Sequence, residues 1–486
     1  MVLTRILQQH RKAALFALIF FAIYALLAFV NHYLFKTFAL DLGLYTNALY
    51  DYGHGQFNDK GVFKPVAENL LSDHFDLYLP LISPLGYLFG QYTLQLFQIL
   101  AILAGGLGVY ATILKRFGSE KMALLAQICL YLSFPVFAAL SFDYHSNVPA
   151  AMLVPFLFYF AETKKYKAIV LTMIAIWIGK ETESFWMVFL SLGMAITYRQ
   201  DARLKKLMLG LSAASLVYFV VVLKLVMPAF ANSGRYDHYK FTALGANYGE
   251  AFVFVFTEPL SFLKVLFTNH LGKPEFDGVK MEFVLFFLMS GGAFLGLRPA
   301  FLLMIVPILV MKLCYDDPAA WSIDTHYSIE LAPVLVLGLF FIANDLLKYR
   351  YQLVWASLLG MTFCTFKYMD NTIYWHDYSR VRIYQKSHYV KNYDVKVVHQ
   401  QLHTIPADAV VAAQTPFVPH LAYRDKCYTL PIVKDAEYIM ASPSEEAMYP
   451  IIREELYRLL NDSLQSGRWH IQYKDTNVLV LKKIKK

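Results

Sequence analysis

Hydrophobic and polar positions along this chain are arranged in long blocks rather than alternating residue by residue. Apolar runs fall at about 13–30, 93–114, 121–140, 148–162, 168–179, 184–198, 207–227, 282–297, 300–314, 327–343 and 352–367. Several approach the roughly 20 residues that a helix needs to cross a hydrocarbon core of about 30 Å. The pattern predicts a polytopic α-helical membrane protein with about 11 transmembrane helices. The runs at 168–179 and 184–198 are short for that role, so their ends stay open.

The stretches between the runs fall into two kinds. Lys115-Arg116, residues 163–167, residues 198–206, Arg298 and residues 344–352 are basic. SFDYHSN (141–147), GKETE (179–183) and YDDPAAWSIDTH (315–326) are instead rich in acids and histidine. Short basic loops stay in the cytoplasm. With Arg5, His10, Arg11 and Lys12 ahead of the first run, this predicts a cytoplasmic N-terminus and an external C-terminal portion. Acidic residues contribute little to orientation, so their one-sidedness is a separate signal that the external face is the working surface. The expected location is the bacterial inner membrane, crossed many times.

Four further stretches complete the outline. Residues 31–76 form an external loop with amphipathic pieces expected to lie as short helices on the membrane surface. Pro80 and Pro84 interrupt residues 77–90, which suits a re-entrant or interfacial piece. Residues 231–281 make a second external loop, long and polar. From about 370 the composition becomes that of a soluble protein, dividing the chain into 1–369 and an external α/β domain at 370–486. There the pattern predicts a helix near 394–403 and strands at 410–413, 426–430 and 436–441. An amphipathic helix at 444–463 and a hairpin turning at Lys474–Asn477 follow.

Composition sharpens this outline. The chain is 57% hydrophobic and 16% charged, where a soluble protein carries roughly a quarter charged residues. Its net charge of +8 sits in the short loops between apolar runs, which is topology rather than a nucleic-acid footprint. Cys129, Cys314, Cys364 and Cys427 have no CxxC spacing, which argues against a disulfide framework or a zinc site. The first run has no small-residue cleavage site after it and reads as a retained span.

Candidate chemistry lies in the external segments. Asp41, in FALDLG, stands where a carboxylate acts as general base on an acceptor hydroxyl or amine, or holds a metal; a helix N-cap is the plain alternative. His54 lies in the same segment. Asp73 and His74, in SDHFD, have oxygen and imidazole ligands for a divalent metal such as Mg or Mn, or else cap the next helix. Asp143 and His145 alternate along a loop where the acid would orient the imidazole, or form a surface pair. Lys180, Glu181 and Glu183 stand at a span terminus, where charges need partners or a function; Lys180 would neutralise a lipid-linked phosphate, or snorkel. Arg235, Asp237 and His238 offer a phosphate or sugar contact, or a solvated loop. Of the polar positions at 316–327, His326 and Tyr327 abut the membrane and are the better candidates for facing a cavity.

The segments DLGLYTNALYDYGHGQ (41–56), SDHFDLYLPLISPL (72–85), FDYHSNVPA (142–150), GKETES (179–184) and THYSIELAP (325–333) carry a family resemblance. IPADAVVAAQTPFVPHLAYRDKCYTLP (405–431) extends it over nearly the whole chain. The sequence looks like a bacterial and archaeal family of polytopic membrane proteins of unknown function. That family resembles the GT-C glycosyltransferases, which use polyprenyl-phosphate sugars and include protein mannosyltransferases and aminoarabinose transferases. The resemblance implies a GT-C-like fold and an Asp in the first external loop as catalytic base or metal-associated acid, a place that Asp41 takes. It also implies a polyprenyl-phosphate-linked sugar arriving laterally from the membrane lipid, and an acceptor that is a glycan, lipid or protein. The chain has no paired Asp-Glu at that position. A transporter or flippase of lipid-linked saccharide is the alternative, which should show repeats; none is visible. A non-catalytic envelope assembly protein is the third.

Overall fold

The computed structural model describes residues 10–235, 239–374 and 377–484. Arg5, Asp237 and His238 lie outside them. Each of the eleven apolar runs coincides with helix, from Arg11–Tyr33 at the start to Leu331–Asp345 and Arg350–Asp370 at the end. Among the described residues, four helical stretches are long and apolar enough to cross a membrane alone: Arg11–Tyr33, Tyr78–Phe117, Ala202–Phe230 and His326–Asp345. A fifth appears if Glu120–Leu132 and Phe134–Ser141, bent by 40°, are taken together. The others are shorter, including Asn147–Glu162, Tyr166–Trp177 and Pro299–Cys314.

The helices enclose one large apolar core, with Trp186, Phe158, Phe301 and Phe340 among its buried side chains. Helix Leu331–Asp345 runs through the middle of it, buried along almost its whole length. Helix Glu181–Thr197 packs between its neighbours Ala202–Val221 and Pro299–Cys314. Gly193 permits the second contact, because a Cβ there would lie 2.6 Å from the Ala300 carbonyl.

Three expectations change. Residues 77–90 are not interrupted at Pro80 and Pro84. They form helix Tyr78–Phe89, which accommodates Pro84 and continues through a short tight turn into Thr93–Phe117. The amphipathic pieces of 31–76 do not lie open on a membrane surface. Helix Leu44–Gly53 is covered on most sides and shares a core with Val398, Val411, Phe417 and Met440 of the C-terminal sheet region. Its apolar face therefore meets protein. The long loop also contains two apolar helices, Tyr248–Thr257 and Pro259–Phe267, with Phe256 and Leu260 exposed.

The C-terminal part holds a five-stranded mixed sheet in the order β2-β1-β3-β5-β4. Its strands are β1 (Val411–Ala413), β2 (Cys427–Thr429), β3 (Tyr438–Ala441), β4 (Trp469–Lys474) and β5 (Leu479–Lys483). β1 is parallel to β2 and β3, while β5 is antiparallel to β3 and β4. Side chains alternate between the faces, as a pleat requires. Val411, Ala413, Tyr438 and Met440 face the core shared with residues 35–97. Ala412, Ile439 and Leu481 face helix Arg453–Gln465. That helix starts later than the predicted 444, because Pro450 lacks an N–H and disfavours a helical Tyr449. Glu455 accepts the Ile452 N–H at 3.3 Å and closes its first turn.

Candidate functional site

Asp41 sits in a single π-helical turn, Ala39–Gly43, a local irregularity often found at functional sites. The turn is pinned from two sides. Asp143 accepts the Phe38 N–H at 3.1 Å, and Thr415 Oγ1 accepts the Ala39 N–H at 3.2 Å. Gly43 lets the turn press against helix Val418–Leu421, since a Cβ there would meet Val418 Cγ1 at 2.9 Å. The C-terminal sheet region and the loop after helix Phe134–Ser141 thus both position the segment that carries Asp41.

Asp143 adopts a left-handed backbone, φ 66°, a conformation unusual away from glycine. Its carboxylate takes a 3.1 Å contact from Arg380 Nη2. Burial pushes its pKa up to about 7, against the pull of Arg380. Gln98 brackets the same loop, donating to the Asp143 carbonyl at 2.9 Å and accepting the His145 N–H at 3.0 Å. His145 is thereby aimed so that Nε2 lies 3.4 Å from Asp41 Oδ1. Burial lowers the pKa of His145, so near neutrality it is an uncharged imidazole beside the carboxylate. His326 stacks on it, with ring centroids 3.5 Å apart and planes at 15°. Neither His326 ring nitrogen, nor His145 Nδ1, has a hydrogen-bond partner among the described residues.

Tyr327, next to His326, leads into a cavity of about 420 Å³ between helices Glu181–Thr197 and Pro299–Cys314. Its lining is mostly apolar, with Phe185, Phe219, Phe241, Phe252 and Val255 among the residues. His74, Asn147, Lys180, Glu181, Glu183 and Glu330 are the polar residues there. The exposed helix Tyr248–Thr257 forms part of the rim. Among the described residues, no side-chain hydrogen bond or ion pair holds the Lys180 ammonium. Glu181 is engaged by His74 at 3.4 Å and by the Phe75 N–H at 3.1 Å. Lys312 reaches the cavity while donating to the Ala320 and Ser322 carbonyls.

The candidates from the sequence therefore separate. Asp41, Asp143, His145 and His326 form one connected group, and Lys180, Glu181, His74 and Tyr327 line the adjoining cavity. His54 is exposed, bonded to the Tyr50 carbonyl at 2.8 Å and stacked on the Tyr50 ring. Arg235 lies in an exposed loop, where its carbonyl accepts from Ser233; neither residue lines the cavity. Asp73 turns to Lys60 at 3.7 Å while His74 turns to Glu181. This pair does not converge on a metal, and no group of three or more His, Cys, Asp or Glu does so among the described residues. All four cysteines are buried and unbridged. Asn147, Glu330 and Lys312 were not singled out from the sequence. Lys312 and Glu330 each interrupt an apolar run, the signal that exposes an intramembrane site.

A helical bundle in which four helical stretches among the described residues are long and apolar enough to span a membrane defines a multi-pass membrane protein. The chain belongs to the family described as predicted membrane protein (DUF2079), which matches residues 31–480. No curated protein matches it. Among solved structures it is similar to the Archaeoglobus fulgidus oligosaccharyltransferase in the apo form, at 11% identity, 86% coverage of this chain, 64% of that chain and a TM-score of 0.39. It is also similar to the same enzyme tethered by a disulfide to an acceptor peptide containing the NVT sequon, at 11%, 85%, 63% and 0.37. The chain thus spans less than two thirds of the length of those proteins.

Proposed function

We propose that this chain is a GT-C-type membrane glycosyltransferase, moving a sugar from a polyprenyl-phosphate donor to an acceptor at the external membrane face. In this reading the eleven apolar helices all cross, the N-terminus is cytoplasmic, and residues 370–486 form an external domain over the site. The observation that carries it is the mostly apolar cavity whose lining includes the Lys180 ammonium, beside the Asp41–His145–His326 group. A sugar–phosphate lipid would set its apolar chain against that lining and its anionic head near Lys180.

In the reaction, Asp41 takes the proton from the acceptor hydroxyl or amine as its oxygen or nitrogen bonds to the anomeric carbon. The bond from that carbon to the phosphate oxygen breaks, and polyprenyl phosphate leaves with the electron pair. Lys180 offsets the charge that develops there. Neutral His145 holds the Asp41 carboxylate in place, and His326 supports the imidazole by stacking. Among the described residues no group of three or more His, Cys, Asp or Glu converges to hold a metal.

The test is donor turnover by purified protein in lipid, on a panel of polyprenyl-phosphate sugars. Asp41→Asn should lower transfer about 100-fold or more while the protein stays folded. A protein that binds donor but never consumes it, and is unaffected by Asp41→Asn, would move the reading to a transporter of lipid-linked saccharide.

A further inference from the structure

The cavity has a feature that the transfer chemistry does not use. Asn147, Glu183 and Glu330 come from three different helical segments, line the same cavity, and are 3%, 2% and 6% exposed. Asn147 Nδ2 donates to Glu330 Oε1 at 2.6 Å. Glu183 and Glu330 are close enough to sense each other's charge, and both sense Lys180. Yet Glu183 Oε2 and Asn147 Oδ1 are fully enclosed and have no hydrogen-bond partner among the described residues. Buried polar atoms are nearly always paired, so two orphaned acceptors on residues that line one cavity mark a place for something that donates.

We propose that Asn147, Glu183 and Glu330 form the subsite for the sugar head group, and that this sugar presents neutral hydroxyl groups to them. The proposal rests on the lipid-linked donor described above and adds where its sugar sits and what kind of sugar it is. Two arguments fix the class. The orphaned atoms are acceptors, so the ligand must bring hydrogen-bond donors. Lys312 lines the same cavity and donates to the Ala320 and Ser322 carbonyls, so a cation already stands near the carboxylates. Hydrogen-bond donors are missing there, and positive charge is not. A hydroxylated sugar meets that need, whereas an amino sugar would add a surplus cation. The half-buried Lys180 would then meet the phosphate, and the apolar lining from Phe185 to Val255 would take the first units of the chain.

The experiment measures binding without turnover, using full-length Asp41→Asn protein in nanodiscs. The probes are undecaprenyl phosphate alone and undecaprenyl phosphate carrying glucose, galactose, mannose or 4-amino-4-deoxyarabinose. At least one neutral sugar lipid should bind about tenfold tighter than the bare lipid, the margin expected from one or two charge-assisted hydrogen bonds. Adding Glu183→Leu or Asn147→Leu, either of which removes an acceptor, should remove that margin and leave affinity for the bare lipid unchanged, which also reports that the variant is folded. The subsite is overturned if no sugar improves binding, if the margin survives both substitutions, or if only the amino sugar is preferred. Failure to bind even the bare lipid is a different result, and it removes the donor reading itself.

Discussion

In the cluster of Asn47, Asp51, Asn58 and Arg424 beneath the C-terminal sheet, buried polar side chains close on one another; around the cavity beside helix Glu181–Thr197 they stop short. In the first region Asn47 donates to the Ala422 and Arg424 carbonyls at 3.2 and 2.8 Å. Asn58 bridges Asn47 and Asp51 at 2.9 and 2.8 Å. Arg424 serves the carbonyls of Leu421, Pro406 and Ala409. In the second region Glu183, Asn147 and His326 all keep buried atoms without partners. Sequence composition does not separate the two, since both are polar clusters among apolar neighbours. The difference is whether the hydrogen bonds close within the protein. Closed networks hold residues 47–58 to the sheet region, and open ones leave free-energy gains for a ligand.

The largest expected effect tests the closed side. Asn47→Leu strands two carbonyl acceptors and breaks the link to Asn58, so it should lower unfolding stability by about 3 kcal/mol. Thermal unfolding in detergent should show the loss, with turnover per folded molecule unchanged. Lost turnover at unchanged stability would place Asn47 in the reacting site and erase the contrast.

A smaller effect tests the open side. His326→Phe keeps a ring stacked on His145 and removes two unpartnered nitrogens. Stability should hold or rise by about 1 kcal/mol, and donor turnover should hold, because the stacking that supports His145 is kept. A clear drop in unfolding temperature would show that water satisfies His326 and that its role is structural.

The blocks of apolar residues made the helices legible, because burial in lipid or in a helical core demands the same long runs. The C-terminal strands were legible through short β-branched segments, and the Asp41, Asp143 and His145 group through its place beside span ends. What the sequence could not reveal was what covers each surface. Leu44 and Leu49 look the same whether their face meets lipid or Phe417 and Val418 of the same chain. Residues 231–281 averaged to a polar loop because Glu258 and Pro259 separate two apolar helices. The polar lining of the cavity was hidden for another reason: Asn147, Glu183, Lys312 and Glu330 are distant in sequence and meet only through helix packing. Glu183 was visible in GKETE, but nothing local marks one of its oxygens as unpartnered.

The finest test lies within the closed region, at a carboxylate whose partners do not fully repay its burial. Asp51 accepts Asn58 at 2.8 Å, yet burial, with Asp59 and Asp425 adding negative charge nearby, pushes its pKa up to about 7 from the ordinary 3.8. Between about pH 4 and 7 the folded protein therefore holds a proton that the unfolded chain has released. Where the folded state binds more protons, stability falls as pH rises. The contribution of Asp51 is thus most favourable below pH 4, declines through that window, and is flat above it. Asp51→Asn keeps an acceptor for Asn58 and removes the titration. It should raise the unfolding temperature at pH 8, leave it unchanged at pH 4, and flatten that part of the stability profile. An equal shift at both pH values would show that Asp51 is charged throughout, and that the network beneath the sheet satisfies it as fully as it does Asn47.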